Sequence, residues 1–336
     1  MTAYRRSLAI ALVVCALARA DDWPQWRGPN RDGRWHETGL IERFAAPRLT
    51  PVWRAEIAPG YTSPTVAAGR VFLSDRPAGP AEKERVLCFA AGTGAPLWQF
   101  EYPCHYAGIS SKAGPRAAVT VHDGRAYALG TMGHLHCLDA ATGNVLWAKD
   151  LNALYGIRMP VWGIAAAPLI EGALVILPIG GKDNAGVVAL DRVTGAERWR
   201  ALPDRASYSS PIVIDQAGKR VLVCWTAQRV VGLEVTSGQR LWEAAFPEPA
   251  RIIGVADPVL DGRRLFVSDF WEGSLMLQIG AEQPTIAKLW YRKGQSEQRT
   301  DALHAMITTP ILDGPVLYGV DSYDELRGLN ADTGDR

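Results

Sequence analysis

Six tryptophans return at nearly constant spacing, and no other feature restricts the fold of this chain so tightly. Trp53, Trp98, Trp147, Trp199, Trp242 and Trp290 are separated by 45, 49, 52, 43 and 48 residues. A period in this range marks a repeat array, in which each unit is too small to bury its own apolar faces and must stack on its neighbours. A set of glycines keeps the same phase. Gly94, Gly143, Gly195, Gly238 and Gly334 are spaced by 49, 52, 43 and 96 residues, the last being twice 48. The stretches "LCFAAGTGAPLW" (87–98), "LHCLDAATGNVLW" (135–147), "VALDRVTGAERW" (188–199) and "VGLEVTSGQRLW" (231–242) restate one order of residues. The repeat without a glycine is "SLMLQIGAEQPTIAKLW" (274–290), which keeps its tryptophan and replaces the turn by a longer loop.

A second signal runs in the same phase. "SPTVAAGRVFLSD" (63–75), "AVTVHDGRAYALG" (118–130), "APLIEGALVILPIG" (167–180), "SPIVIDQAGKRVLVCW" (210–225), "DPVLDGRRLFVSD" (257–269) and "TPILDGPVLYGVD" (309–321) each read as strand, tight turn, strand. Alternating β-branched and aromatic residues around a connection tolerant of positive φ form a hairpin. The Asp-x-x-Thr-Gly stretch supplies the next turn. Asp139 and Thr142 can hydrogen-bond the turn backbone, and Gly143 can take the left-handed conformation that closes it. Four strands per repeat, with a tryptophan early in the outermost one, make an all-β fold, a β-propeller of four-stranded antiparallel blades.

One phase from Trp53 to Gly334 predicts a single ring over residues 51–336, its last repeat incomplete, preceded by an N-terminal lead segment at 21–50. Residues 1–20 read differently. Arg5 and Arg6 precede an apolar run from Leu8 to Leu17, and "ARA" at 18–20 offers small residues for cleavage near Ala20. This is the pattern of a secretory signal peptide, too short to span a bilayer, which takes roughly 20 apolar residues. Lipidation at Cys15 is the alternative, disfavoured because Val14 is bulky. The expected location is periplasmic or secreted. Export permits disulfides among Cys88, Cys104, Cys137 and Cys224. Cys88 and Cys137 nevertheless hold one repeat position, which points to free cysteines in strand cores. A formal charge of +1 and 48% hydrophobic residues suggest neither disorder nor a nucleic-acid partner.

The motif LxCLDAxTGxxxW resembles the pyrroloquinoline-quinone-type (PQQ-like) propeller repeat of quinoprotein alcohol dehydrogenases and of BamB-like outer-membrane-assembly propellers, and "DDWPQWRGPNRDG" (21–33) resembles the opening of exported members. The resemblance implies an eight-bladed family type, of which this chain holds about six to seven blades and looks truncated. In the dehydrogenases it implies a quinone held between a tryptophan and a disulfide of adjacent cysteines, beside a calcium ion. This chain has no Cys-Cys pair and no Cys-x-x-Cys-His haem site. The expectation is therefore a non-catalytic binding or scaffold module, a monomer without a transmembrane span or cofactor, whose partner is a protein or an envelope component. A PQQ-dependent dehydrogenase with an altered site, using PQQ and calcium, is the alternative.

Function in such rings sits where repeats differ. The loops entering the innermost strands carry Tyr61, Lys112, Arg158, Trp162, Tyr208, Arg251 and His304. Aromatic and cationic groups converging on the axis suit an anionic or aromatic ligand or a peptide; the plainer alternative is that they line a wet channel. His134 and His136 share a strand face and can chelate only if a third ligand joins them. Asp269, Glu272, Asp321, Asp324 and Glu325 lie on corresponding loops as a calcium candidate, or simply as acidic hairpin tips. "PIGGKDNAG" (178–186) carries Lys182 but no following helix, so it reads as a turn rather than a phosphate loop.

Overall fold

The computed structural model describes residues 21–44, 47–246 and 253–336, so the signal-peptide reading of 1–20 and the candidate Arg251 lie outside the described residues. Six antiparallel meanders follow one another along the chain: sheet 1 (65–103), sheet 2 (120–150), sheet 3 (169–201), sheet 4 (212–244) and sheet 5 (259–292), each of four strands, and sheet 6 (311–330) of three. Each begins with a short inner hairpin as the sequence predicts. The connections Ala68–Gly69, Asp123–Gly124 and Ala217–Gly218 have positive φ at both central residues, the geometry that matches the right-handed twist of the flanking strands.

The Asp-x-x-Thr-Gly turn is closed by its own side chains. The Asp139 carboxylate accepts from the amides of Ala141 (3.0 Å) and Thr142 (2.8 Å) and from the Thr142 hydroxyl (2.9 Å). These bonds hold its carboxyl below the usual range. Gly143 closes the turn at φ 76°.

The flat glycine also receives the preceding blade. Trp98 lies against Gly143, where an added Cβ would come within 2.7 Å of the indole, and its Nε1 donates to the carbonyl of Ala140 at 3.2 Å. The same pair of contacts joins Trp147 to Arg192 and Gly195, Trp199 to Val235 and Gly238, and Trp290 to Ala331 and Gly334. In every case the accepting carbonyl lies three residues before the glycine. Sheet 5 has lost this turn, and Trp242 accordingly does something else: it donates to the Gln216 side chain at 2.8 Å and lies over Gly232 of its own sheet.

Between neighbouring sheets lie the cores. Leu138 and Phe72 belong to the cluster between sheets 1 and 2, Tyr127 and Val175 to that between sheets 2 and 3, Ile176 and Leu222 to that between 3 and 4, Val223 and Leu275 to that between 4 and 5, and Phe266 and Leu317 to that between 5 and 6. Among the described residues no such cluster joins sheet 6 to sheet 1, so the six sheets form an open arc. Cys88, Cys104, Cys137 and Cys224 are buried free thiols in these layers. Burial pushes Cys88 and Cys137 up to about 11, which keeps them protonated and unreactive.

The lead segment threads the axis. Trp23 pairs with Val66 of sheet 1, and the carbonyl of Pro24 accepts from Val121 of sheet 2 at 2.7 Å. Arg31, 5% exposed, donates to the carbonyls of Ala167 and Pro168 just before sheet 3 and of Pro211 just before sheet 4. Trp26 donates to Asp257 just before sheet 5, and Arg34 reaches the carbonyl of Leu312 in sheet 6 at 3.2 Å. Desolvation brings the Arg31 guanidinium down to about 10, and it remains charged at neutral pH. No helix among the described residues is long and apolar enough to cross a membrane.

Candidate functional site: the axial funnel

Residues at or just before the innermost strands of sheets 2 to 6 meet at the axis, and side chains tie them into a belt. The Thr120 hydroxyl donates to the carbonyl of Pro168 at 2.7 Å, and the amide of Ala167 donates to the Ser210 hydroxyl at 3.1 Å. The amide of Ser210 donates to Asp257 Oδ1 at 2.7 Å, and the amide of Asp257 donates to the Thr309 hydroxyl at 3.1 Å. Each bond joins one blade to the next. Asp257 is 4% exposed. Its burial raises the carboxyl, while Arg27, the Trp26 indole N–H, the Ser210 amide and Arg31 oppose that rise. The lead segment is thus locked to the belt through one buried carboxylate.

Above this belt opens a cavity of 360 Å³. Trp26, Ser210 and Asp257 line it beside Tyr61, Arg116, Trp162, Tyr208, Val255, Met306 and Ile307, which come from the inner loops of all six sheets. Trp162 and Tyr208 rest against each other with ring centroids 4.9 Å apart, and the Tyr208 hydroxyl accepts from the Trp162 amide at 3.2 Å. Tyr61 is 55% exposed, and its hydroxyl lies 2.8 Å from that of Ser111. The Arg116 guanidinium sits 5.3 Å from the Tyr61 ring centroid. Three of its five N–H groups go to the carbonyls of Ser111 and Gly114 and to the Thr131 hydroxyl at 3.2 Å. Arg116 therefore shapes the loop and gives the cavity a cation–π edge more than a free hydrogen-bond donor.

Of the residues singled out from sequence, Tyr61, Trp162 and Tyr208 are brought together here. Lys112 is exposed off the cavity, with its carbonyl bonded to Arg76 at 3.2 Å. Arg158 is exposed and donates to the carbonyl of Pro203 at 2.5 Å. His304 is fully buried with Nδ1 on the carbonyl of Phe270 at 2.8 Å, away from the funnel. Trp26, Arg116, Asp257 and Met306 were not singled out. The recurring Ser-Pro, Asp-Pro and Thr-Pro dipeptides at 210, 257 and 309 were the available signal for the belt. Trp26 had none beyond its place in the lead segment.

The other candidates are occupied by the fold. His136 packs its ring 4.2 Å from that of Tyr102 and 4.9 Å from that of Phe100. Asp269 accepts from the amides of Ile253, Trp271 and Glu272, and Glu272 pairs with Lys293 at 2.8 Å. Asp321 pairs with Arg327 at 3.3 Å, and Glu325 pairs with Arg327 at 2.8 Å. Among the described residues no three His, Cys, Asp or Glu side chains gather as a metal site.

A protein-family model described as "Outer membrane protein assembly factor BamB" matches residues 82–336. The BamB structure from Moraxella catarrhalis superposes with a TM-score of 0.53 at 18% identity, covering 82% of this chain and 70% of that one. A europium-containing methanol dehydrogenase superposes with a TM-score of 0.53 at 11% identity, covering 95% and 85%. A 1-butanol dehydrogenase (quinone) from Thauera butanivorans is 32% identical over 105 residues, 31% of this chain and only 16% of that enzyme's length. The two superpositions speak for the fold alone, while the family match spans most of the chain. The chain belongs to the BamB-type family of PQQ-like β-propeller repeat proteins.

Proposed function

We propose that the protein is an exported, monomeric, non-catalytic binding module of the periplasm or cell envelope, and that it grips a protein partner in the axial funnel. The observation that carries this is the cavity itself. Its lining is mainly aromatic and aliphatic, Trp26 of the lead segment forms part of it, and the Trp26 indole N–H, Asp257 and three N–H groups of Arg116 are bonded within the protein. Such a site suits an apolar or aromatic side chain of a polypeptide, with Tyr61, Trp162 and Tyr208 as the rigid anchors that dominate binding energy in interfaces. The family match to an assembly factor supports the same class of role.

The alternative, a PQQ-dependent dehydrogenase, draws on the match to 1-butanol dehydrogenase over 105 residues and on the aromatic lining of the cavity. Against it stand the lack of adjacent cysteines in the sequence and the hydrogen bonds that tie the Arg116 guanidinium to its own loop.

A photo-reactive residue in place of Ile307, 75% exposed at the cavity rim, tests the proposal in cells. A discrete protein adduct is expected from position 307 and none from Val193, on the outer turn of sheet 3. Trp162→Ala should reduce the adduct by about tenfold or more, as for a central aromatic anchor. Equal labelling from both positions would contradict a funnel site.

A further inference from the structure

Three of the blade-to-blade connections that wall the funnel carry cations the fold leaves without acids. The connection from sheet 1 to sheet 2 (104–119) holds Lys112 and Arg116, and that from sheet 2 to sheet 3 (151–168) holds Arg158; neither contains an Asp or Glu. The connection from sheet 3 to sheet 4 (202–211) holds Arg205 and one acid, Asp204. Asp204 is 5% exposed and already engaged, accepting from the Arg229 guanidinium at 2.8 and 2.9 Å and from the Thr226 hydroxyl at 2.8 Å. Lys112, Arg116, Arg158 and Arg205 pair with no carboxylate among the described residues. Elsewhere in the protein cations do find acids: Lys83 pairs with Glu101 at 2.8 Å, Arg198 with Asp191 at 2.6 Å and Arg220 with Glu171 at 2.9 Å.

These cations accompany the aromatic anchors. Lys112 adjoins Ser111 of the cavity wall, whose hydroxyl lies 2.8 Å from that of Tyr61. Arg158 stands four residues before Trp162 and Arg205 three before Tyr208, and both are exposed, as is Lys112. Burial raises the Tyr208 hydroxyl, and the Trp162 amide, Arg116 and Arg205 oppose that rise, which puts both guanidiniums near the ring. By contrast, the connection from sheet 5 to sheet 6 (293–310) carries two Lys or Arg and two Asp or Glu, and supplies Met306 and Ile307 to the cavity.

Resting on the reading of the funnel as a grip for a polypeptide, we infer that the gripped segment is acidic: a bulky apolar or aromatic side chain enters the cavity, and Asp or Glu residues on either side of it meet Lys112, Arg158 and Arg205. In an extended chain a carboxylate two or three residues from the anchor lies roughly 7–10 Å along the strand. Exposed charges still act over about 8 Å at physiological salt. The aromatic contacts supply most of the affinity, and the positive rim selects acidic flanks and speeds encounter with them.

Calorimetric titration of the full chain with three synthetic peptides tests it. GEDEFDEDG carries anchor and acids, GKKKFKKKG the anchor with the opposite charge, and GEDEGDEDG the acids without the anchor. The first should bind at least about tenfold tighter than either of the others, and should weaken by about tenfold between about 50 and about 500 mM NaCl. Lys112→Glu combined with Arg205→Glu should weaken it by about tenfold or more at an unchanged melting temperature, since neither side chain is hydrogen-bonded within the protein among the described residues. Equal binding of GEDEFDEDG and GKKKFKKKG, lost in both with Trp162→Ala, would overturn the acidic partner and leave the funnel grip standing. Equal binding of GEDEFDEDG and GEDEGDEDG would overturn the inference in favour of a surface that takes any polyanion. No binding of GEDEFDEDG at millimolar concentration would also overturn it, and the crosslink from position 307 judges the funnel reading separately.

Discussion

His136 shows how a residue that reads as a metal ligand becomes a stability element. Its ring is enclosed by Phe100 and Tyr102, and desolvation, aided by the nearby His134, lowers its pKa from 6.5 to about 4. The folded protein therefore holds the ring neutral, whereas the unfolded chain binds a proton near pH 6.5. Between these values the unfolded state binds more protons, so the contribution is present above pH 6.5 and is lost as pH falls toward 4. A shift of this size corresponds to at most about 3 kcal/mol. Denaturant titrations at pH 7 and pH 4 should show His136→Gln losing up to about 3 kcal/mol less over that interval than the wild type. Equal losses would mean the ring is charged in the folded state. Sequence could place His136 on a strand face, but not the two aromatic rings that reach it from the outer strand of sheet 1.

At the scale of the element, the tryptophan and glycine signals prove to be two halves of one joint. The indole of one blade needs a flat, Cβ-free surface on the next, and the turn needs a left-handed residue; glycine meets both demands. This is why the blade was legible in the sequence, since a joint repeated along the chain writes the same letters each time. Trp199, 8% exposed and bonded to the carbonyl of Val235 at 2.9 Å, is the joint between sheets 3 and 4. Trp199→Ala should cost about 3–5 kcal/mol in reversible unfolding, and the more exposed Trp147 should cost less. A loss under about 1 kcal/mol at Trp199 would show that the joint does not hold the blades together. Features outside the repeat were harder to read. The five-residue helix Leu151–Tyr155, capped by Asp150 and closed by Gly156 in the left-handed conformation, is one turn and too short to impose a helical period.

For the whole molecule, the axial funnel is assembled from side chains that differ in every repeat and lie up to 246 residues apart, from Tyr61 to Ile307. The sequence located the loops but could not say which of their residues turn inward. Trp162 and Tyr208 do, whereas Arg158 donates to the carbonyl of Pro203, Lys112 is exposed, and His304 is taken into the layer between sheets 5 and 6. The lead segment was less legible still, because residues 21–34 carry no period and reveal their role only through Arg31 and Asp257, a buried guanidinium and a buried carboxyl group that fix them to the inner ends of sheets 3, 4 and 5. This account makes the funnel a place for a partner's side chain. The most direct test is titration of the purified protein, freed of residues 1–20, with pyrroloquinoline quinone and calcium, following quinone absorbance, tryptophan fluorescence and dye reduction with alcohols. No stoichiometric binding and no dye reduction is the predicted result; stoichiometric binding accompanied by alcohol-dependent dye reduction would contradict it.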